Sequence, residues 1–186
     1  VQERFGLMIS LYLKSIAVQE KRSIGNQMLL MARLSQLADE IAEKSTEQER
    51  HKTLLKNLKS LPLPPEFQLP SNPGVICSGV VASKCRVIES TNKPLRLVFT
   101  TIDDNKNPAS DLQVIFKKGD DVRQDQLILQ LIGIFDNLWR ENGMDLHLSP
   151  YSCVATGKDE GLLQIVPYSK TIEEIFRAQV DMQSKD

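Results

Sequence analysis

The stretch VIFKKGDDVRQDQLILQ, residues 114–130, joins two elements of opposite period. Val114, Ile115 and Phe116 form an unbroken β-branched and aromatic run, the mark of a buried strand. Lys117 follows at the strand's end, and Lys118, Asp120, Asp121 and Arg123 make a dense run of charge before an apolar-periodic segment begins. Alternation along a strand sets Lys117 and Lys118 on opposite faces. A lysine at a strand end beside a cleft is a point cation that can meet phosphate oxygens. A nearby carboxylate keeps it charged and aimed. Spacing alone is also compatible with a surface lysine in a solvated charge run.

The segment after the charge run predicts a helix from about Val122 to Asn142. Asp121 stands where a cap would, Gln124 where a capping-box partner would reach back, and Gly143 where a helix ends. Apolar residues occupy more than one of its faces, so burial on both sides is expected.

Upstream, residues 1–60 read as helical. Phe5, Met8, Ile9, Tyr12, Leu13 and Ile16 make one apolar stripe, and Leu30, Leu34, Leu37 and Ile41 make another. Gly25-Asn26 reads as the turn between them. EKSTEQERHK is a solvated stretch, a loop or the start of a third helix. Residues 61–74, LPLPPEFQLPSNPG, hold five prolines and a glycine and read as an extended connector. Beyond it the period changes. VICSGVV, CRVIES, LRLVFT and LQVIF are short strand-like runs, YSCVAT and GLLQIV read as a hairpin around GKDE, and TIEEIFRAQV reads as a last helix capped by Thr171. The expected fold is α+β, a helical segment followed by a largely antiparallel sheet with one long helix. The expected units are 1–60, 61–74 and 75–186.

Composition narrows the function classes. A formal net charge of -1 offers no global field to nucleic acid, so any anion site must be local. Cys77, Cys85 and Cys153 are an odd set without metal-ligand spacing, as expected of a reduced, intracellular protein. No signal peptide or membrane-spanning run is visible. The chain starts at Val1 inside a helix-like pattern and is expected to be a piece of a longer polypeptide.

FKKGDDVRQDQL resembles the catalytic subunit of the phosphatidylinositol 3-kinases. RFGLMISLYLKS resembles the last helices of that family's helical domain, KCRVIESTNKPLRLVF its phosphate-binding strand-loop-strand, and NGMDLHLSPYSCVATGKDEGLLQIV the run to its interlobe hinge. The long helix then takes the place of a kinase αC-type helix, and residues 75–186 that of a kinase N-lobe up to the hinge and the first helix after it. RFGLM and KCRVIES are class I-like. Gln164 and Gln126 are closer to class III, and Arg96 stands where class I members commonly have tryptophan.

The resemblance implies roles for single residues. Lys117 would contact ATP, with Asp125 its acidic partner. Ser90 would donate to phosphate, Ile88 and Ile115 would wall the adenine, and Tyr151 would lie deep in the pocket near the lysine. At Gln164 and Val166 a backbone carbonyl and a backbone amide would read the adenine edge. It also implies ATP with Mg²⁺, a phosphoinositide lipid at a membrane surface, a regulatory subunit, no nucleic acid, and a cytoplasmic protein recruited to membranes. No metal ligand is expected in this chain. The family's D-R-H-type loop and D-F-G aspartate belong to a C-lobe that these 186 residues do not contain, and Asp145-Leu-His147 lies where the family places no catalysis. Alone, the chain is expected to be inactive. A non-catalytic interaction module and the N-lobe of a related protein-directed kinase are the alternatives.

Overall fold

The computed structural model describes residues 2–183, so Val1 and the last three residues, which close the expected third unit, lie outside it. Three helices come first: α1 (Gln2–Ser15), α2 (Val18–Ala42) and α3 (Glu47–Lys59). The sheet strands are β1 (Phe67–Leu69), β2 (Asn72–Val80), β3 (Arg86–Val87), β4 (Leu95–Ile102), β5 (Leu112–Lys118), β6 (Cys153–Gly157) and β7 (Glu160–Gln164). Helix α4 (Arg123–Glu141) lies between β5 and β6, and α5 (Ile172–Gln183) closes the described chain. The α+β reading holds.

All strand pairs are antiparallel, in the order β1-β2-β4-β5-β7-β6, with β3 on β4. In β5, Leu112, Val114 and Phe116 are buried on one face, while Ile115 and Lys117 are half-buried on the other. The buried face meets α2 and α3 in one core that joins Leu34, Leu37, Ile41, Leu54 and Leu58 to Leu97, Phe99, Val114 and Phe116. The spacing of Leu30, Leu34, Leu37 and Ile41 repeats the helical turn, which is why one face of α2 reaches the sheet. Leu34 is fully buried, and its truncation to alanine would cost about 3 kcal/mol.

Four expectations need correcting. Gly25-Asn26 is no turn, since both residues lie inside α2. Nothing crowds Gly25, and the roughly 1 kcal/mol a helical glycine costs is carried by the buried face further along. The chain breaks at Ile16-Ala17 instead, where the Ala17 amide donates to Glu20 Oε2 at 2.9 Å. The connector 61–74 also does more than connect. Phe67 and Leu69 are buried in β1, and Phe67 meets the Phe99 ring edge-on at 5.8 Å. The helix after the charge run is capped one residue later than expected. Val122 is its N-cap, while Asp121 accepts from the Arg123 amide at 3.1 Å and pairs with the Arg123 guanidinium. Finally, α4 is not buried on both sides. It packs on β6, but Leu127, Ile128, Ile134, Phe135 and Leu138 are about half exposed. The stripe of α1 is likewise exposed at Phe5, Met8, Ile9 and Tyr12.

Other local signals hold. Thr46 caps α3 through a reciprocal box with Glu49, which makes EKSTEQERHK a helix start. Thr171 and Glu174 make the same box at α5. Gly143 ends α4 at φ +77.

Candidate functional site

Lys117 lies on the face of the sheet away from α2 and α3, and Lys118 lies on the other. Lys118 Nζ donates to Asp39 at 2.6 Å and to the Ser35 carbonyl at 3.2 Å, both on α2. Alternation thus separates a lysine tied to α2 from one on the opposite face of the sheet. Lys117 Nζ donates to Asp120 Oδ2 at 2.8 Å. That bond raises the lysine's pKa above its ordinary value, desolvation opposes it, and the charges of Asp120 and Asp125 add to it. The sequence-predicted partner, Asp125, sits in the first turn of α4 and acts on Lys117 through its field. Asp120 makes the direct contact.

Register builds the wall around Lys117. Residues directly opposite one another in a sheet share a face. Arg96, Ile115, Leu163 and Cys153 therefore line one row across four strands, and Lys117 stands opposite Gly161 in the next. Val122, Cys153 and Leu163 form a small buried cluster that Tyr151, Leu129 and Ala155 pack against. This brings Tyr151 to the Lys117 side of the sheet. Gly161 was not singled out in the sequence. A Cβ there would lie 2.3 Å from Val122 Cγ2 and 2.7 Å from the Val154 carbonyl, so only glycine lets the start of α4 sit this close to the lysine. Its one sequence signal is a glycine inside a strand.

Ile88 and Ser90 belong to the loop between β3 and β4. The Ile88 amide donates to the Pro94 carbonyl at 2.8 Å, the Ser90 amide to the Ile88 carbonyl at 2.9 Å, and the Lys93 amide to the Ser90 carbonyl at 3.2 Å. Lys93 takes φ +44 to close this tight turn. Asn92 Nδ2 donates to the Gly119 carbonyl at 3.0 Å, tying the loop to the segment that follows Lys117. Among the described residues, the Ser90 hydroxyl and the Thr91 and Asn92 amides bond no protein group, which leaves three exposed donors for an anion.

At the other end of the site, the Gln164 amide donates to the Ser152 carbonyl at 2.8 Å. Its side-chain oxygen accepts from the Ser152 amide at 3.3 Å. The Val166 carbonyl accepts from the Ser169 hydroxyl at 2.7 Å, while the Val166 amide has no acceptor among the described residues. A free amide at the end of β7 suits a heterocyclic nitrogen. Arg96 donates to Gln113 Oε1 at 2.6 Å, and its Nε is buried without a partner.

His147 is exposed at φ +53, and its amide donates to Asp145 Oδ1 at 2.8 Å, so the Asp-Leu-His echo is an irregular stretch closed by a local bond. Among the described residues no three His, Cys, Asp or Glu side chains cluster as a metal site requires. All three cysteines are free and buried. No described helix is long and apolar enough to cross a membrane.

The described residues thus bring together Lys117 with its Asp120 pair, a β3–β4 loop tied to Gly119 by Asn92, and a Val166 amide without an acceptor. The family described as phosphatidylinositol 3- and 4-kinase matches residues 111–185, which carry Lys117, Asp125, Tyr151, Gln164 and Val166. Phosphatidylinositol 3-kinase 2 of Dictyostelium discoideum is 38% identical over 94% of the chain. The chain belongs to the phosphatidylinositol 3-kinase family. Phosphatidylinositol 3-kinase pik3 of Schizosaccharomyces pombe is 42% identical over 69% of the chain, and the human phosphatidylinositol 3-kinase C2 domain-containing subunit gamma 42% identical over 59%. The chain spans 9%, 14% and 7% of the lengths of these three phosphatidylinositol 3-kinases, in that order.

Proposed function

We propose that this chain forms the ATP-holding half of a lipid kinase that phosphorylates the inositol ring of phosphatidylinositol lipids at the 3-position, incomplete without a C-lobe. The observation that carries the reading is Lys117, paired with Asp120 on the face of β5 away from α2 and α3, with Asp125 of the first turn of α4 adding its field. Lys117 meets phosphate oxygens, and Asp125 adds its field. Ser90 and the two amides after it hold the phosphates. Ile88, Ile115 and Tyr151 enclose the adenine, and the backbone at Gln164 and Val166 reads its edge. Such a site works by positioning and by neutralising charge, which is what phosphoryl transfer requires of a protein. Mg²⁺ comes with ATP and is held by the complementary lobe. The intact enzyme is cytoplasmic, is recruited to membranes that present its phosphoinositide lipid, and works with a regulatory subunit.

The test uses the full-length polypeptide, labelled ATP and Mg²⁺, and vesicles carrying phosphatidylinositol or its 4-phosphate or 4,5-bisphosphate. Label appearing at the 3-position of one of these lipids supports the reading, and the preferred vesicle identifies the lipid. Transfer to protein alone, or none to any vesicle, overturns it.

A further inference from the structure

Glu89 sits beside Ser90, where a carboxylate is a liability, because the donors of this loop face a polyanion under the reading above. Arg50, on α3, is buried to 9% exposure and spends its guanidinium on two tasks. Nε donates to Glu89 Oε1 at 3.2 Å and Nη2 to Glu89 Oε2 at 2.7 Å, a two-pronged grip on the carboxylate. Nη1 donates to the carbonyls of Lys44 at 2.9 Å and Ser45 at 3.1 Å. Those carbonyls follow the end of α2, whose last turn carries no basic side chain of its own. One guanidinium therefore joins the end of α2 to the rim of the phosphate loop. Lys118 makes a second tie from α2 to the segment just past Lys117, and Asn92 links the loop to that same segment.

We propose that Arg50 is a positioning residue for the nucleotide. It shields the triphosphate from Glu89 and holds that carboxylate back against the helices. The shielding rests on the reading of the Ser90 loop as a phosphate site. A structural clamp and a charge shield predict different double variants. If Arg50 only clamps, removing Glu89 as well cannot restore what its loss removes. If Arg50 shields, neutralising Glu89 restores nucleotide affinity even though the clamp is gone.

The experiment measures affinity for a fluorescent ATP analogue, and KM for ATP with kcat, on the full-length polypeptide. The variants are Arg50→Met, Glu89→Gln and the double. A single uncompensated charge on the residue next to Ser90 should weaken Arg50→Met about tenfold in affinity and in KM, with kcat changed about twofold or less. The double variant should regain most of that loss. Losing a buried partner also destabilises a protein, so thermal melting is followed in parallel. The double variant stays less stable than the parent while its affinity recovers. Normal affinity in Arg50→Met, or a double variant as weak as Arg50→Met, overturns the proposal. Absence of lipid phosphorylation by the parent with intact analogue binding overturns the kinase reading and leaves this comparison in force. Absence of analogue binding by the parent overturns both.

Discussion

Lys117 at the end of β5 and Asp120 in the turn behind it form an ion pair, Nζ to Oδ2 at 2.8 Å, that a second turn holds in place. The amides of Gly119 and Asp120 both donate to the Asp159 carbonyl, at 2.8 and 3.1 Å, and Asp159 adopts φ +57 in the β6–β7 hairpin to present it. A hairpin distant in sequence thus aims the carboxylate that aims the lysine. A half-buried pair open to solvent on one side adds little to stability, so its effect should appear in chemistry.

Lys117→Ala in the full-length polypeptide should lower lipid phosphorylation at least about a hundredfold, with melting changed by less than about 1 kcal/mol. Comparing Asp120→Asn with Asp125→Asn in the same assay shows which carboxylate aims the lysine during turnover. The lysine's folded pKa is raised above its ordinary 10.5, so its contribution is complete below that value and is lost only as pH rises through the folded one. The activity profile should therefore show no Lys117 ionisation near neutral pH. Near-parental turnover by Lys117→Ala would refute its assignment.

Two glycines should answer opposite ways to the same substitution. Gly161→Ala drives a methyl into Val122 and the Val154 carbonyl and should cost about 2–4 kcal/mol. Gly25→Ala has open space inside α2 and should stabilise by about 0.5–1 kcal/mol. Denaturant unfolding of each variant measures both, and a neutral Gly161→Ala would mean that Val122, the N-cap of α4, does not press on Gly161 as described.

Cys77 is fully buried, and burial pushes its thiol from 9.0 up to about 11. The thiolate is the reactive form, so native protein at pH 8 should react with iodoacetamide at least about a hundredfold more slowly at Cys77 than unfolded protein does. A raised folded pKa contributes stability that is complete below pH 9 and is lost as pH climbs toward 11. Unfolding free energy should therefore decline across that alkaline window, and Cys77→Ser should flatten the decline.

The isolated 186-residue chain should bind ATP no better than roughly millimolar, because a one-sided cleft buries too little of a ligand. It should show no kinase activity. Its half-exposed α4 face, with Leu127, Ile128, Phe135 and Leu138, should drive self-association with rising concentration. Titration calorimetry and light scattering check the two. Micromolar ATP binding would show that one lobe is enough.

Much of this protein follows from local pattern alone. The period of α2, the strand runs, the boxes at Thr46 and Thr171, the glycine stop of α4 and the opposite facing of Lys117 and Lys118 depend on neighbours in sequence, and short-range sterics and hydrogen bonds suffice for them. Of the residues matched by family resemblance, Ile115 and Lys117 share the sheet face away from α2 and α3, Ile88 and Ser90 lie in the β3–β4 loop, and Gln164 stands opposite Val114 on the other face. What tertiary structure decided is which charge meets which. Asp120 reaches Lys117 in a turn that Asp159, some forty residues on, pins, whereas the family resemblance pointed to the helix residue Asp125. Arg50 reaches Glu89 because α3 packs on the β3 region, and Gly161 matters because Val122 arrives from another element. Gly25 stays helical because the buried turns beyond it outweigh one residue's backbone preference. Pairings such as Arg50 with Glu89 and Gly161 with Val122 depend on packing and register, and no short window of sequence contains both partners.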